Sequence, residues 1–590
     1  MMDADHTDHT GAEGSIRTLH KLRRLPFEPQ RPVRWLDPRV LVHTGLQLVL
    51  SGVFERFADK REYLGGIPAP PVAAPGTDTE DVWVDYVSDV GDGFDATATI
   101  AWMLAQEQLV VDDEGALPRG SVVVLGGDQV YPFASLEEYE NRTLGPYRAM
   151  LPHTDAPHPL LLAIPGNHDW YDGLTAFMRV FAQARPEPTA AAHARAFDEE
   201  APVAPPPAPT AGRWIGGWMT AQRRSYFSVQ VRAGWWLWGL DIQLDTYIDA
   251  PQMEYFNAEA QRLRPDDGVI LCCARPGWLH CGPGDPESYS VLDFFERTFI
   301  RPTGANLRLT LTGDHHSYAR YVGDDGEQKI IAGGGGAYLD WGHHFRPTLD
   351  LPPAESRDRG KTDQRPFRLV PSSLYPSAEV SRREAGKFWR VLWRNGPFLP
   401  LMVACMYGLW ALLIPDPVDV WSPRFVAPCV VAVLMLIGLT HEKTLLSKGV
   451  AVLHAAAHLG AVLGLSWVFE QWVDRPWTWL LVGAAGAAVG PLLLGLYLRL
   501  ADMIEINAGE LFAAQRLETY KCFLRLRITP DGDLTIYPIG VREVFHRWRL
   551  LPEAPDSPPI APAGVDPTPW HLIEPPIVIT RTPTTTTGAP

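Results

Sequence analysis

Cysteine is scarce in this chain, with 6 in 590 residues, and none stands in the paired spacing of a zinc site. Cys272, Cys273, Cys281, Cys405, Cys429 and Cys522 are scattered, two of them inside apolar runs, which excludes a disulfide scaffold and suits a reduced compartment. Positive charge is short too: 52 Lys and Arg stand against 69 Asp and Glu, a formal net charge of −17. Without the basic face that phosphate backbones require, no nucleic-acid partner is expected. The N-terminus, Met-Met-Asp-Ala-Asp-His, lacks the basic, apolar and small-residue order of a secretory signal, so the N-terminal domain is expected to stay inside.

What is present falls into two kinds of apolar segment. The short kind comes first. Leu160 to Ile164 has the length and flanks of a fully buried strand and stops at Pro165-Gly166, which delivers Asn167, His168 and Asp169 together. Asp81 to Ser88 reads as a strand ending in Asp89-Val90-Gly91-Asp92, and Ser121 to Leu125 as one ending in Gly126-Gly127-Asp128. A helix near Thr97 to Glu107 separates them. Later strands cover Ser225–Val231, Trp235–Leu240, Gly268–Cys273 and Leu307–Thr312, the last ending in Gly313-Asp314-His315-His316. Strands alternating with helix-length segments describe an α/β unit whose strand ends share one ligand edge. The glycines Gly333 to Gly336 suit a tight turn with close backbone approach; no Lys-Ser/Thr follows, so they do not read as a phosphate-cradling loop.

The long kind follows. Phe398–Ile414, Phe425–Thr440, Gly449–Phe469 and Trp477–Leu498 lie at or near the ~20 residues that cross a bilayer, which predicts four transmembrane helices. The first two are short and hold Pro400 and Pro428, which also allows a re-entrant hairpin. Arg382, Arg383, Lys387, Arg390, Arg394, Lys443, Lys448 and Arg499 put both ends of the bundle, and the ligand-bearing domain, in the cytoplasm. His454 and His458, four apart in the third run, read as interhelical polar contacts, and Asp502 and Glu505 as membrane-surface residues. Tyr520–Thr529 and Leu534–Pro538 then form a hairpin that returns to the soluble domain.

The expected organisation is a leader and amphipathic helix over 1–64, a ligand-bearing domain over 80–390 with an Ala/Pro-rich insertion at 184–212, a transmembrane bundle over 397–500, a return to the first domain over 503–548 and a disordered tail over 549–590. At least two units are needed, because a chain of this length exceeds one ordinary core.

Asp89, Asp92, Asp128, Asn167, His168, Asp314, His315 and His316 collect at strand ends, and carboxylate, amide and imidazole donors suit hard or borderline divalent metals. In order along the chain they resemble the motifs of the calcineurin-like metallophosphoesterases. Gly127-Asp128 and Gly166-Asn167-His168-Asp169 match fully; Asp89 matches half of the first motif, and Gly313-Asp314-His315-His316 carries Asp314 in place of a His. The resemblance implies a metallophosphoesterase-type β-sandwich flanked by helices, here with the four-helix membrane bundle inserted. It further implies that Asp89 and His316 bind one metal, that Asp128 bridges, and that Asn167 and Asp314 bind the second. His168 would polarise the phosphate or protonate the leaving oxygen. Gly91 stands where the family has His, with Asp92 the candidate substitute; Cys272-Cys273-Ala274-Arg275-Pro276 lacks the family's lone His, and Cys273 and His280 are the residues available to compensate. His315 reads as structural, and His343 and His344 as candidates near the site. Carboxylates in place of imidazoles favour Mn, Mg or Fe over Zn, with two ions or a single one.

The expected activity is metal-dependent hydrolysis of a phosphoester, of a small molecule or a lipid head group, by a metal-activated hydroxide at the membrane. The alternative is a catalytically degenerate domain acting as a phosphate or nucleotide sensor, or as a scaffold for the bundle. A transporter with a regulatory domain is weaker, because the runs hold little charge.

Overall fold

The computed structural model describes residues 10–40, 79–183, 213–414 and 445–581, apart from short breaks, and scattered positions in 421–433. Most of the amphipathic helix expected after Asp37, the Ala/Pro-rich insertion and the second apolar run lie outside the described residues.

Two mixed sheets carry the ligand domain. In the first, the strands Val82–Val87, Val122–Leu125, Leu160–Ala163 and Trp218–Thr220 run parallel in that spatial order. In the second, Trp235–Leu240, Gly268–Cys273, Asn306–Thr312 and Gln328–Ala332 do the same. Val82–Val87, Val122–Leu125, Leu160–Ala163, Trp235–Leu240 and Gly268–Cys273 read as largely apolar runs because both faces of each sheet are covered, and the polar Arg308, Thr310 and Lys329 of the later strands are buried as well. Val84, Val124 and Leu162 of one sheet share a core with Leu237, Ile270 and Leu309 of the other, so the sheets pack face to face. Side chains of opposite parity, Val123 and Leu161 on one sheet and Trp238 and Leu271 on the other, point outward. They meet the helices Phe94–Ala105 and Ala250–Ala260, respectively. The result is a mixed α/β sandwich with helices on both outer faces.

The chain closes this sandwich from far away in sequence. Lys521–Ile528 pairs antiparallel with Val82–Val87, and Leu534–Val541 extends the edge. Opposite each other in that pairing, Arg525 and Asp85 are both fully buried and joined by contacts of 2.7 and 2.9 Å. Because the segment before the apolar helices and the segment after them serve one sandwich, any complete membrane crossings between them are even in number.

Among the described residues two helices, not four, have the length of a crossing. Leu445–Glu470 and Thr478–Met503 are long and apolar enough to cross a membrane; the first run forms the 16-residue helix Phe398–Leu413, bent 96° from the helical turns before it. Pro397 and Pro400 sit at that break, where the ring removes a donor and crowds the preceding turn. Phe398–Leu413 packs closely on Thr478–Met503 through Gly483, Gly486 and Gly490, where an added Cβ would meet Ala404 O at 2.9 Å, Tyr407 at 2.6 Å and Val403 at 2.1 Å. His458 reaches Tyr407 across this bundle at 2.7 Å.

Two other expectations change. The leader is more than a connector: Ser15 caps the helix Ile16–Leu22, and Glu13–Gly14 pairs with Trp548–Leu550. The Pro- and Thr-rich tail, expected to be disordered, carries strands among its described residues. Trp570–Leu572 and Ile577–Ile579 both pair with Leu534–Val541, whose open edge supplies the hydrogen bonds that composition alone does not promise.

Candidate functional site

The parallel strands deliver their carboxyl ends to one rim, and three of them end in an aspartate with a left-handed backbone: Asp89 at φ 60°, Asp128 at φ 50° and Asp314 at φ 64°. Short polar side chains enter that region at lower cost than others, and each such turn swings a carboxylate back over its strand end. Backbone amides hold the carboxylates of Asp89 and Asp128. Asp89 accepts the Asp314 amide at 3.0 and 3.1 Å, and Asp128 Oδ1 accepts the His168 amide at 2.9 Å. His316 Nε2 lies 3.5 Å from Asp89 Oδ1.

Glycines make room for these groups. A Cβ on Gly166 would lie 2.1 Å from Asp128 Oδ1, and one on Gly313 would lie 2.2 Å from Asp89 Oδ2. The glycine run closes over the rim as its composition predicts: Gly335 N–H donates to Ser88 and Ala337 N–H to the Asp89 carbonyl.

Burial and mutual repulsion set the electrostatics. Burial, and then Asp89, Asp169 and Asp314, drive the Asp128 carboxyl well above its ordinary range. Asp314 is pushed up to about 6 by burial and then by Asp89. Carboxylates that oppose each other's ionisation in this way are a cation site in waiting. Asn167 Oδ1 is buried with no hydrogen-bond partner, which also suits an atom that serves as a ligand. The donor set therefore fits a hard or borderline divalent ion. His168 is different. Its Nδ1 meets the Pro132 carbonyl at 2.7 Å, burial lowers its pKa to about 4, and so its Nε2 is left as a neutral acceptor.

Asp92 does not join this group. Its Oδ1 accepts the Val33 amide at 2.7 Å and fastens the leader to the domain. Where the family's lone His is expected, Cys273 is a buried thiol pushed up to about 12 by burial, and Ala274 fits against Gly127. His280 is exposed, and His315 turns to Ser317 and the Trp341 ring. Asp169 organises the loop, accepting from Gly166, Gln129 and Tyr139.

The residue that sequence reading missed is Tyr131. Its hydroxyl lies 3.1 Å from Asp89 Oδ1, 3.4 Å from Asp128 Oδ2 and 3.1 Å from His316 Nε2, at the centre of the cluster. Its only advance signal is its place three residues after Asp128. Burial and the two carboxylates hold this phenol far above its usual pKa, so it stands as a neutral donor.

Fold and site together define the class: an α/β sandwich with a carboxylate and imidazole cluster at one strand-end rim. No protein-family model matches the chain, and no curated protein matches it. Among solved structures it is similar to GAP50, the anchor in the inner membrane complex of Plasmodium, at 11% identity and a TM-score of 0.30 over 44% of this chain and 74% of that one. It is also similar to PhoD, at 14% identity and a TM-score of 0.25 over 45% of this chain and 59% of that one.

Proposed function

We propose that the rim is a divalent-metal phosphoester hydrolase site on a cytoplasm-facing domain anchored by its apolar helices. The observation that carries the reading is the convergence of Asp89, Asp128, Asn167, His168, Asp314 and His316 from separate strand ends onto one buried rim. Asp89, Asp128, Asp314, His316 and the amide oxygen of Asn167 would hold the metal, and the Tyr131 hydroxyl is a further oxygen among them. A divalent cation held there supplies positive charge to a phosphoryl oxygen and lowers the pKa of water. The chain's own part is positional. Asp169 fixes the turn that carries Asn167 and His168, and Pro132 fixes the His168 tautomer, which leaves Nε2 to accept a proton from water or a substrate hydroxyl rather than to protonate a leaving oxygen. The substrate class is a phosphoester of a small molecule or a lipid head group, with Mn, Mg or Fe as the metal.

Purified full-length protein in detergent hydrolyses an aryl phosphate mono- or diester with added Mn, and Asp128→Asn abolishes this. Absence of turnover across a broad metal panel overturns the reading. The Tyr131 hydroxyl at the centre of the cluster, and the missing imidazole at Cys273, favour one rival, a degenerate domain that senses phosphate or nucleotide or supports the helices. Tight phosphate or nucleotide binding without turnover, unchanged by His168→Ala, supports that rival.

A further inference from the structure

The loop that leaves the glycine run continues past the rim to the apolar helices. The Asp340 amide donates to the His316 carbonyl at 3.3 Å, and three residues later His343 and His344 turn toward the end of Thr478–Met503. His343 Nε2 lies 3.4 Å and His344 Nε2 lies 3.0 Å from the same oxygen, Asp502 Oδ1. Asp502 is fully buried, and the two imidazoles are 5% and 13% exposed. Glu505 Oε1 stands 3.7 Å from His344 Nδ1. His343, His344 and Asp502 offer ligand atoms that all lie within 4.8 Å of one another, and none of them belongs to the rim cluster.

These distances have a chemical meaning. Zinc-like ions take imidazole nitrogen and carboxylate oxygen at about 2.0–2.2 Å in a tetrahedron, so two atoms on one ion stand about 3.3–3.6 Å apart. The two imidazole–carboxylate separations lie at or just under that edge. The outer contacts are also those of a ligand set: His343 Nδ1 meets Ser381 Oγ at 2.7 Å, and Arg499 holds the other oxygen of Asp502. Charge points the same way, since Asp502 and Glu505 both stand against His344 and Asp340 lies near Asp502, while Arg499 pairs with Asp502. Two imidazoles select a borderline transition ion over Mg or Ca, the reverse of the carboxylate-rich rim.

The geometry points to a second metal site, built from His343, His344 and Asp502, that takes a borderline divalent ion such as Zn(II) and clasps the rim loop to the end of the apolar helix. It does not depend on the phosphoesterase reading. Its ligands lie 159 residues apart at the widest, from His343 to Asp502, so the ion ties together two parts of the chain that sequence alone leaves separate. Through Asp340 and the His316 carbonyl, the clasp also steadies the rim.

The test uses the full chain in detergent, stripped with a chelator and then titrated with Zn(II) alone, with Co(II) as a spectroscopic probe. Asp128→Asn keeps one zinc equivalent and the absorption of tetrahedral Co(II); His343→Ala/His344→Ala loses both. Ser381→Ala, which leaves every ligand in place, weakens this zinc by about 10- to 100-fold, and it serves if the double variant does not fold. A folded double variant that binds as many zinc equivalents as the wild type, or a Ser381→Ala protein with unchanged zinc affinity and Co(II) spectrum, overturns the proposal. An ion pair made by protonated imidazoles alone gives that second result.

Discussion

Replacing Gly166 by Ala tests the rim with a single methyl group. The backbone there, at φ −99° and ψ −173°, accepts Ala without strain, so only the new contact matters. The added Cβ falls 2.1 Å from Asp128 Oδ1 and 2.6 Å from the Asp128 backbone nitrogen, against 3.4 Å for the near limit of ordinary contact. The overlap with the carboxylate is thus 3.4 − 2.1 = 1.3 Å. The backbone nitrogen cannot retreat without unwinding the left-handed turn at Asp128. The carboxylate must therefore swing away, losing its 2.9 Å bond from the His168 amide, or the Asn167 turn must lift. Either moves a ligand by about 1 Å, and misplacement of that size costs on the order of 100-fold in turnover. Overpacking adds about 1–3 kcal/mol of instability. The assay is Mn-dependent aryl phosphate hydrolysis with bound metal measured by elemental analysis, beside Gly360→Ala, where a Cβ meets nothing within 4 Å. Gly166→Ala loses metal and turnover while Gly360→Ala keeps both. Wild-type metal content and rate in Gly166→Ala would refute the assignment of Asp128 to the metal.

Removing one member of the buried Asp85–Arg525 pair strands a charge between two strands, so Asp85→Asn lowers stability by about 3–5 kcal/mol. A double-mutant cycle with Arg525→Met, read by thermal unfolding in detergent, shows the double variant less damaged than the two single losses added; strict additivity counts against the pairing. Tyr131→Phe removes the hydroxyl shared by Asp89, Asp128 and His316 and lowers both bound metal and turnover; unchanged metal content argues against that oxygen as a ligand. Glu518 is partly buried with Oε1 unpartnered, and burial pushes its carboxyl up to about 7 from 4.5. The folded chain thus binds this proton more tightly than the unfolded one, and stability is fully present below pH 4.5 and falls as pH rises toward about 7. Glu518→Gln therefore raises the melting temperature at pH 8, by at most about 3 kcal/mol in stability, and leaves it unchanged at pH 4; equal effects at both values contradict it.

Much of the ligand domain was legible because its signals are local. Val82–Val87, Val122–Leu125 and Leu160–Ala163 are greasy enough to be strands wherever they lie, and the Gly and Asp residues that follow stop them whatever the context. Legibility failed where a neighbour distant in sequence decides. Asp92 has the same local credentials as Asp89, yet the Val33 amide takes it. Trp570–Leu572 and Ile577–Ile579 look like a loose tail until an exposed strand edge pairs them. The first apolar run is intermediate: its prolines are local and legible, but only the structure gives the 96° bend and the 16-residue helix.

The sequence by itself determined the strand ends, their order and the residue types they carry, because hydrophobic period and turn chemistry act within a few residues. Tertiary structure alone decided which of those side chains meet. It drew the Tyr131 hydroxyl into the centre of the carboxylates and brought His343 and His344 onto Asp502 from across the apolar helices. Ligand geometry is a matter of ångströms fixed by packing between segments hundreds of residues apart, and no local pattern encodes it.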